Sequence, residues 1–157
     1  MRRTQLFPLI VASLLLLAAA PASKSPSVRE DVQGFVRAFV DASNRADVTA
    51  VMEMYSQKAG IASIGDGEIT RGWDAIRTES DEIVGKEGAY KISLGSIDVM
   101  PIGTLGAIAF APYAVTVATD QGATQLSGAI SLVLEKTGGA WKIVHEHTSF
   151  KAAASQE

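Results

Sequence analysis

Cysteine is absent from the 157 residues, so the fold has no disulfide, no thiolate nucleophile and no thiolate metal site. An excess of positive charge is missing too. Fourteen Lys and Arg stand against 17 Asp and Glu, which argues against nucleic acid or an anionic lipid surface as partner, because both require clustered cations. There is no Gly-x-Ser-x-Gly elbow and no phosphate-binding glycine loop, and Gly103 to Gly106 has no helix after it. Nucleophilic hydrolysis and nucleotide binding therefore lack their usual signatures.

The N-terminus carries Arg2 and Arg3, then an apolar run from Leu6 to Ala20, then Ala20-Pro21-Ala22, the small-x-small pattern that signal peptidase reads. The run falls short of the roughly 20 apolar residues that span a bilayer, and Pro8 interrupts it. Residues 1–22 are expected to be a signal peptide cleaved after Ala22, sending the protein to the periplasm or the extracellular medium. Removing 22 of 157 residues leaves 135, and the cations drop from 14 to 12 against 17 acids, a net charge of −5. That length fits one domain, able to bury a core without disulfides.

Residues 23–27 form a Ser/Pro linker, residues 28–150 the domain and residues 151–157 a frayed tail. Ser27 and Glu30 make a capping box, and Val28, Val32, Phe35, Val36, Phe39 and Val40 recur at helical spacing. Asp47 is placed to cap a second helix with Val51, Met52, Met54 and Tyr55, and a third runs from about Trp73 to Val84. Between these two lie a short strand, Ala59 to Ile64, and the turn Gly65-Asp66-Gly67. From Tyr90 the pattern switches to period two, in four segments: Tyr90–Met100, Leu105–Thr119, Thr124–Lys136 and Ala140–Phe150. Their short connections force antiparallel neighbours. Helices first and long strands afterwards predict an α+β fold, with the helices on one face of a strongly bent sheet.

Three segments carry a resemblance: Asn44-Arg45-Ala46-Asp47, Arg71-Gly72-Trp73-Asp74-Ala75-Ile76, and the closing Trp141-Lys142-Ile143-Val144-His145-Glu146-His147-Thr148-Ser149. With the order of elements they make residues 28–150 similar to the SnoaL-like (SgcJ-type) branch of the nuclear transport factor 2-like, or ketosteroid isomerase-like, superfamily. The closing strand also resembles that of the calcium/calmodulin-dependent kinase II association domain. The resemblance implies a cone-shaped half-barrel, a mostly antiparallel sheet with about three N-terminal helices on its concave side, a pocket between them, and a homodimer. It is poor in function, since the superfamily holds enzymes, binding proteins and assembly modules alike. Where ketosteroid isomerase has its tyrosine and two aspartates, this chain offers Phe39, Ser63 and Ser131 or Leu132. Pro112, Leu132 and Thr148 stand where the kinase domain has cavity arginines. Isomerase chemistry and a carboxylate clamp are therefore not expected.

Alternation divides the closing strand into Trp141, Ile143, His145, His147 and Ser149 on one face and Lys142, Val144, Glu146, Thr148 and Phe150 on the other. The association-domain resemblance turns the second set inward. The same register sends Ile108, Phe110, Pro112, Ile130 and Leu132 inward, with Phe35, Phe39, Tyr55 and Trp73 from the helices. The opposite face, with Ala107, Ala109, Ala111, Tyr113, Val115, Ala129, Ser131, Val133 and the histidines, is expected to pack against a second copy. A small, mostly apolar ligand is the expected occupant of the pocket. Glu146, a carboxyl in an apolar cavity, and Asp66, at the mouth, are the candidate general acids or bases, each weighed against an ordinary role as ion-pair partner or turn residue. His145 and His147 have a chelating spacing, but nothing in the sequence supplies a third ligand, so no metal and no cofactor are expected.

Overall fold

The computed structural model describes residues 27–65, 67–86, 88, 90–119 and 122–151. The expected signal peptide, most of the linker, all of the expected tail but Lys151, and Asp66 lie outside these residues.

Helix α1 (Val28–Asn44) starts where the capping box places it: the Ser27 Oγ accepts from the Glu30 amide at 3.3 Å, and the Glu30 carboxylate accepts from the Ser27 amide at 2.8 Å. Val32, Val36, Phe39, Val40 and Ser43 form its buried stripe. Asn44 then ties the helix end to a strand. Its side chain donates to the Ile92 carbonyl at 3.0 Å and accepts from the Ile92 amide at 2.7 Å. Asp47 caps the short α2 (Val48–Glu53) through the Ala50 amide at 3.0 Å. The Asn-Arg-Ala-Asp segment is thus a joint between two helices.

Seven strands follow or interleave: β1 (Ala62–Gly65), β2 (Glu68–Arg71), then α3 (Trp73–Ile83), β3 (Tyr90–Leu94), β4 (Asp98–Ile102), β5 (Gly106–Thr119), β6 (Gly122–Thr137) and β7 (Ala140–Phe150). They make one curved sheet in the order β2-β1-β7-β6-β5-β3, with β4 also on β5. Every pairing is antiparallel except β1 with β7. The helices cover the concave side, and the core, with Val32, Met52, Ile76, Leu132, Leu134 and Ile143 almost fully buried, lies between the two layers.

The segment expected as one strand from Tyr90 to Met100 is two. β3 pairs with Tyr113–Val117 and β4 with Gly106–Phe110, so the break falls opposite Ala111 and Pro112. Within a strand a residue's N–H and C=O point to the same side, and Pro112 offers its C=O to the Gly95 amide at 2.9 Å but has no N–H to return. Glycine suits the crossing: a Cβ at position 95 would lie 3.0 Å from the Pro112 ring.

A β-bulge shifts the β6–β7 register between Val133 and Leu134, so that Val133 faces His145 while Leu134 faces Ile143. Val144 is the extra residue, and alternation is reset across it. Trp141 and Ile143, expected on the outer face, therefore point inward together with Glu146, Thr148 and Phe150. Val144, expected in the pocket, sits at the bulge, half-buried against the core.

β5 has the opposite parity to the expected one. Ala107, Ala109, Ala111 and Val115 are buried on the concave side, paired with the inward Leu134, Leu132, Ile130 and with Leu126, whereas Ile108, Phe110 and Pro112 lie on the convex face. Phe110 is 46% exposed. Bulk is the wrong guide here, because α1 packs closely against β3, β4 and β5 and only small side chains fit beneath it.

Gly128 of β6 pairs with Phe150 of β7, and a Cβ there would overlap the Ser149 carbonyl. Gly128→Ala is expected to cost about 1–3 kcal/mol in chemical denaturation, while the same change at Gly34, where a Cβ meets nothing within 4 Å, should be neutral or stabilising.

Candidate functional site

Local backbone pairing builds the site. After α2 the chain runs parallel to β7 for one bridge, with Ile143 N donating to Met54 O at 2.8 Å and Ser56 N donating to Ile143 O at 2.8 Å. That bridge sets Tyr55 beside Glu146, and the Tyr55 hydroxyl donates a hydrogen bond to the Glu146 Oε2. Phe39 holds the Tyr55 ring edge-on, with centroids 6.0 Å apart and planes at 71°. Ser63 of β1 and Leu132 of β6 flank Glu146 across the sheet.

The dyad opens on a cavity of about 880 Å³ between the helices and the concave sheet. Val40 and Val51 form part of its apolar wall, with Ile76, Ile92, Val115 and Ile130, and its aromatic lining is Phe39, Tyr55, Tyr90, Tyr113 and Phe150. Tyr113 and Phe150 pack at 5.6 Å between centroids. The Tyr90 hydroxyl reaches the Ser43 carbonyl at 3.4 Å. Glu79 of α3 also lines the cavity, and its Oε2 is buried with no hydrogen-bond partner.

Burial pushes the Glu146 carboxyl above the ordinary carboxylate range. The charge of Glu79 pushes the same way, and the Tyr55 hydrogen bond opposes both. Tyr55 is raised well above an ordinary phenol, by burial first and then by Glu146. Tyr90 is pushed up to about 12 for the same two reasons. Both tyrosines are therefore neutral hydroxyl donors across the physiological range, facing a carboxyl that resists ionisation.

Of the pocket residues expected from sequence, the structure brings Phe39, Tyr55, Ile130, Glu146 and Thr148 together at this cavity. Leu132 faces the same side but is sealed in the core. Phe35 and Trp73 pack against the core without reaching the cavity, and the Trp73 indole donates to the Met52 carbonyl at 3.2 Å. Ile108, Phe110 and Pro112 are on the other side of the sheet, and Val144 is in the bulge. Lys142, Arg37 and Arg71 do not pair with Glu146: Lys142 donates to the Glu53 carbonyl, and both arginines are exposed. His145 and His147 share the convex face with Ser131, and among the described residues no three His, Asp or Glu side chains gather as metal ligands.

Sequence reasoning misses Glu79, Tyr90 and Tyr113. Glu79 follows Ile76 by three positions and adjoins the buried Ser80, a helical spacing that marks the inward face. Tyr113 is lost with the parity of β5.

The curved sheet closed over by N-terminal helices is the nuclear transport factor 2-like cone. It matches a candidate calcium/calmodulin-dependent protein kinase II association domain from Xanthomonas campestris at TM-score 0.68 and 18% identity, covering 85% of this chain and 93% of that one. It matches a candidate dehydratase of the same superfamily from Streptomyces avermitilis at TM-score 0.69 and 16% identity, over 79% and 96%. A protein of unknown function from Shewanella oneidensis aligns at TM-score 0.62 and 20% identity, over 76% and 96%. None of the curated proteins matches the sequence significantly. Residues 32–153 match the SnoaL-like domain family, and the chain belongs to it.

Because the folded Glu146 carboxyl titrates above its ordinary value of 4.5, folding favours the protonated form. Its stabilising contribution is complete below that value and is lost as pH rises through the folded pKa. Glu146→Gln, which keeps an acceptor for Tyr55, should be as stable as the wild type near pH 4 and should gain on it as pH rises, because the variant has no carboxyl to ionise in the cavity. Thermal melts that stay parallel across this range would remove the buried-acid assignment.

Proposed function

We propose that this SnoaL-like chain is an exported protein that holds a small, mostly apolar molecule in its cone, one polar group of the ligand meeting Tyr55 and Glu146. The observation that carries this reading is the cavity itself: an aliphatic and aromatic wall on which the Tyr55 hydroxyl and the Glu146 carboxyl meet, the ordinary anatomy of a small-molecule site. Export is inferred from the basic head, apolar run and small-x-small site of residues 1–22. N-terminal sequencing of protein recovered outside the cytoplasm should begin at Ser23. For the cavity, native mass spectrometry and thermal shift against a library of apolar compounds should give one ligand per chain and a raised Tm. A library that leaves both unchanged rejects the reading.

A second reading is an enzyme of the isomerase, cyclase or dehydratase type, in which Glu146 moves a proton on the bound molecule. It is favoured by a carboxyl shifted toward neutrality beside a neutral hydroxyl donor, and the dehydratase description of the Streptomyces neighbour is compatible with it. Asp66 stays a candidate partner for that role. A substrate whose turnover survives Glu146→Gln would exclude Glu146 from it.

The convex face supports a homodimer. Phe110, Met100 and Ile102 are 46%, 52% and 54% exposed on one side of β4 and β5, an apolar patch of the kind that marks an interface. The association-domain neighbour is compatible with assembly, and an oligomeric module is the alternative role for the whole chain. Phe110→Glu should convert a sedimenting dimer to monomer while leaving ligand binding intact. A wild-type monomer at micromolar concentration would reject the dimer.

A further inference from the structure

The charges around the cavity are unbalanced. Glu68, Glu79, Glu82 and Glu146 line it, and among the described lining residues Lys86 is the single cation, exposed on the turn after α3. The groups facing Glu146 are Tyr55 after α2, Glu79 on α3, Tyr90 on β3, Ser63 on β1 and Leu132 on β6, none of them cationic. Two carboxyls thus share an apolar space, and one oxygen of Glu79 is buried without a donor, an arrangement that costs stability unless something completes it. A carbonyl ligand supplies no donor. A hydroxyl supplies one donor and leaves the charge uncancelled. An ammonium supplies three N–H donors and a positive charge, and the surrounding rings add cation–π attraction.

We infer that the occupant of the cone is an amphiphilic amine, its apolar body along the aliphatic wall and its protonated nitrogen between Glu79 and Glu146. The inference rests on the reading of the cone as a ligand site and narrows it to a chemical class.

Matched probes test the class separately from the site. Binding of 2-(1-naphthyl)ethylamine and of 2-(1-naphthyl)ethanol to the purified protein is measured by calorimetric titration. They share a body and differ in charge. The amine should bind tighter by about tenfold or more, the range of a hydrogen bond to a charged group. Glu79→Gln should bring it to the level of the alcohol. In the wild type the affinity for the amine should rise with pH as Glu146 gives up its proton while the amine keeps its own, and that for the alcohol should not. The pH series needs no variant and so is independent of whether Glu79→Gln folds. Equal or tighter binding of the alcohol, or a pH-independent amine affinity, overturns the amine proposal and leaves the ligand site standing. No binding of either probe overturns the proposal and counts against the site itself.

Discussion

The site depends on one irregularity, the bulge at Val144. A regular β7 would carry Ile143 and Glu146 to opposite faces, since they are three residues apart. With one residue looped out, Ile143 seals the core, holds the strand-like bridge to Met54 and Ser56, and leaves Glu146 free to meet the tyrosine that this bridge delivers. A backbone irregularity within the β6–β7 ladder therefore lets the same strand supply a hydrophobic plug and an acid on a single concave surface. Bulges next to functional sites commonly re-aim side chains in this way.

Much of the fold is legible because it is written in local rules. The capping box, the helical stripe of α1, the period-two segments and their short turns each specify an element without reference to the rest, and the helix-then-strand order implies the layered cone. The parallel pairing of β1 with β7 is not legible, since it joins segments about 80 residues apart and has no local signature. β2 is not legible for the same reason: four residues with one apolar side chain carry no pattern.

The site is legible only in part, and the failures share a cause. Alternation predicts which residues share a face but not which face is concave, and it assumes that the period is never broken. Glu146 and Thr148 follow the bulge and keep the expected phase. Trp141 and Ile143 precede it and do not. On β5 the register carried over from the resemblance puts the large residues Ile108 and Phe110 inside, whereas the space beneath a helix selects for small volume. Glu79 carries no hydrophobic signal at all. Its spacing from Ile76 places it on the inward face of α3, but that this face looks onto the cavity is tertiary information. The buried carboxyls also mark a local conflict between stability and sequence pattern, and such conflicts concentrate where a protein does something other than fold.

The alanine stripe of Ala107, Ala109 and Ala111 has an effect beyond its own packing. By letting α1 settle low over β5, it fixes how far the helical lid stands from the sheet at one end, and the rigid helix transmits that height to its other end, where Phe39, Val40 and Ser43 roof the cavity. The capacity of the chamber is therefore governed by methyl groups that are not part of its wall. Relatives could acquire wider or narrower chambers by exchanging these hidden spacers for glycine, serine or valine while leaving every wall residue in place.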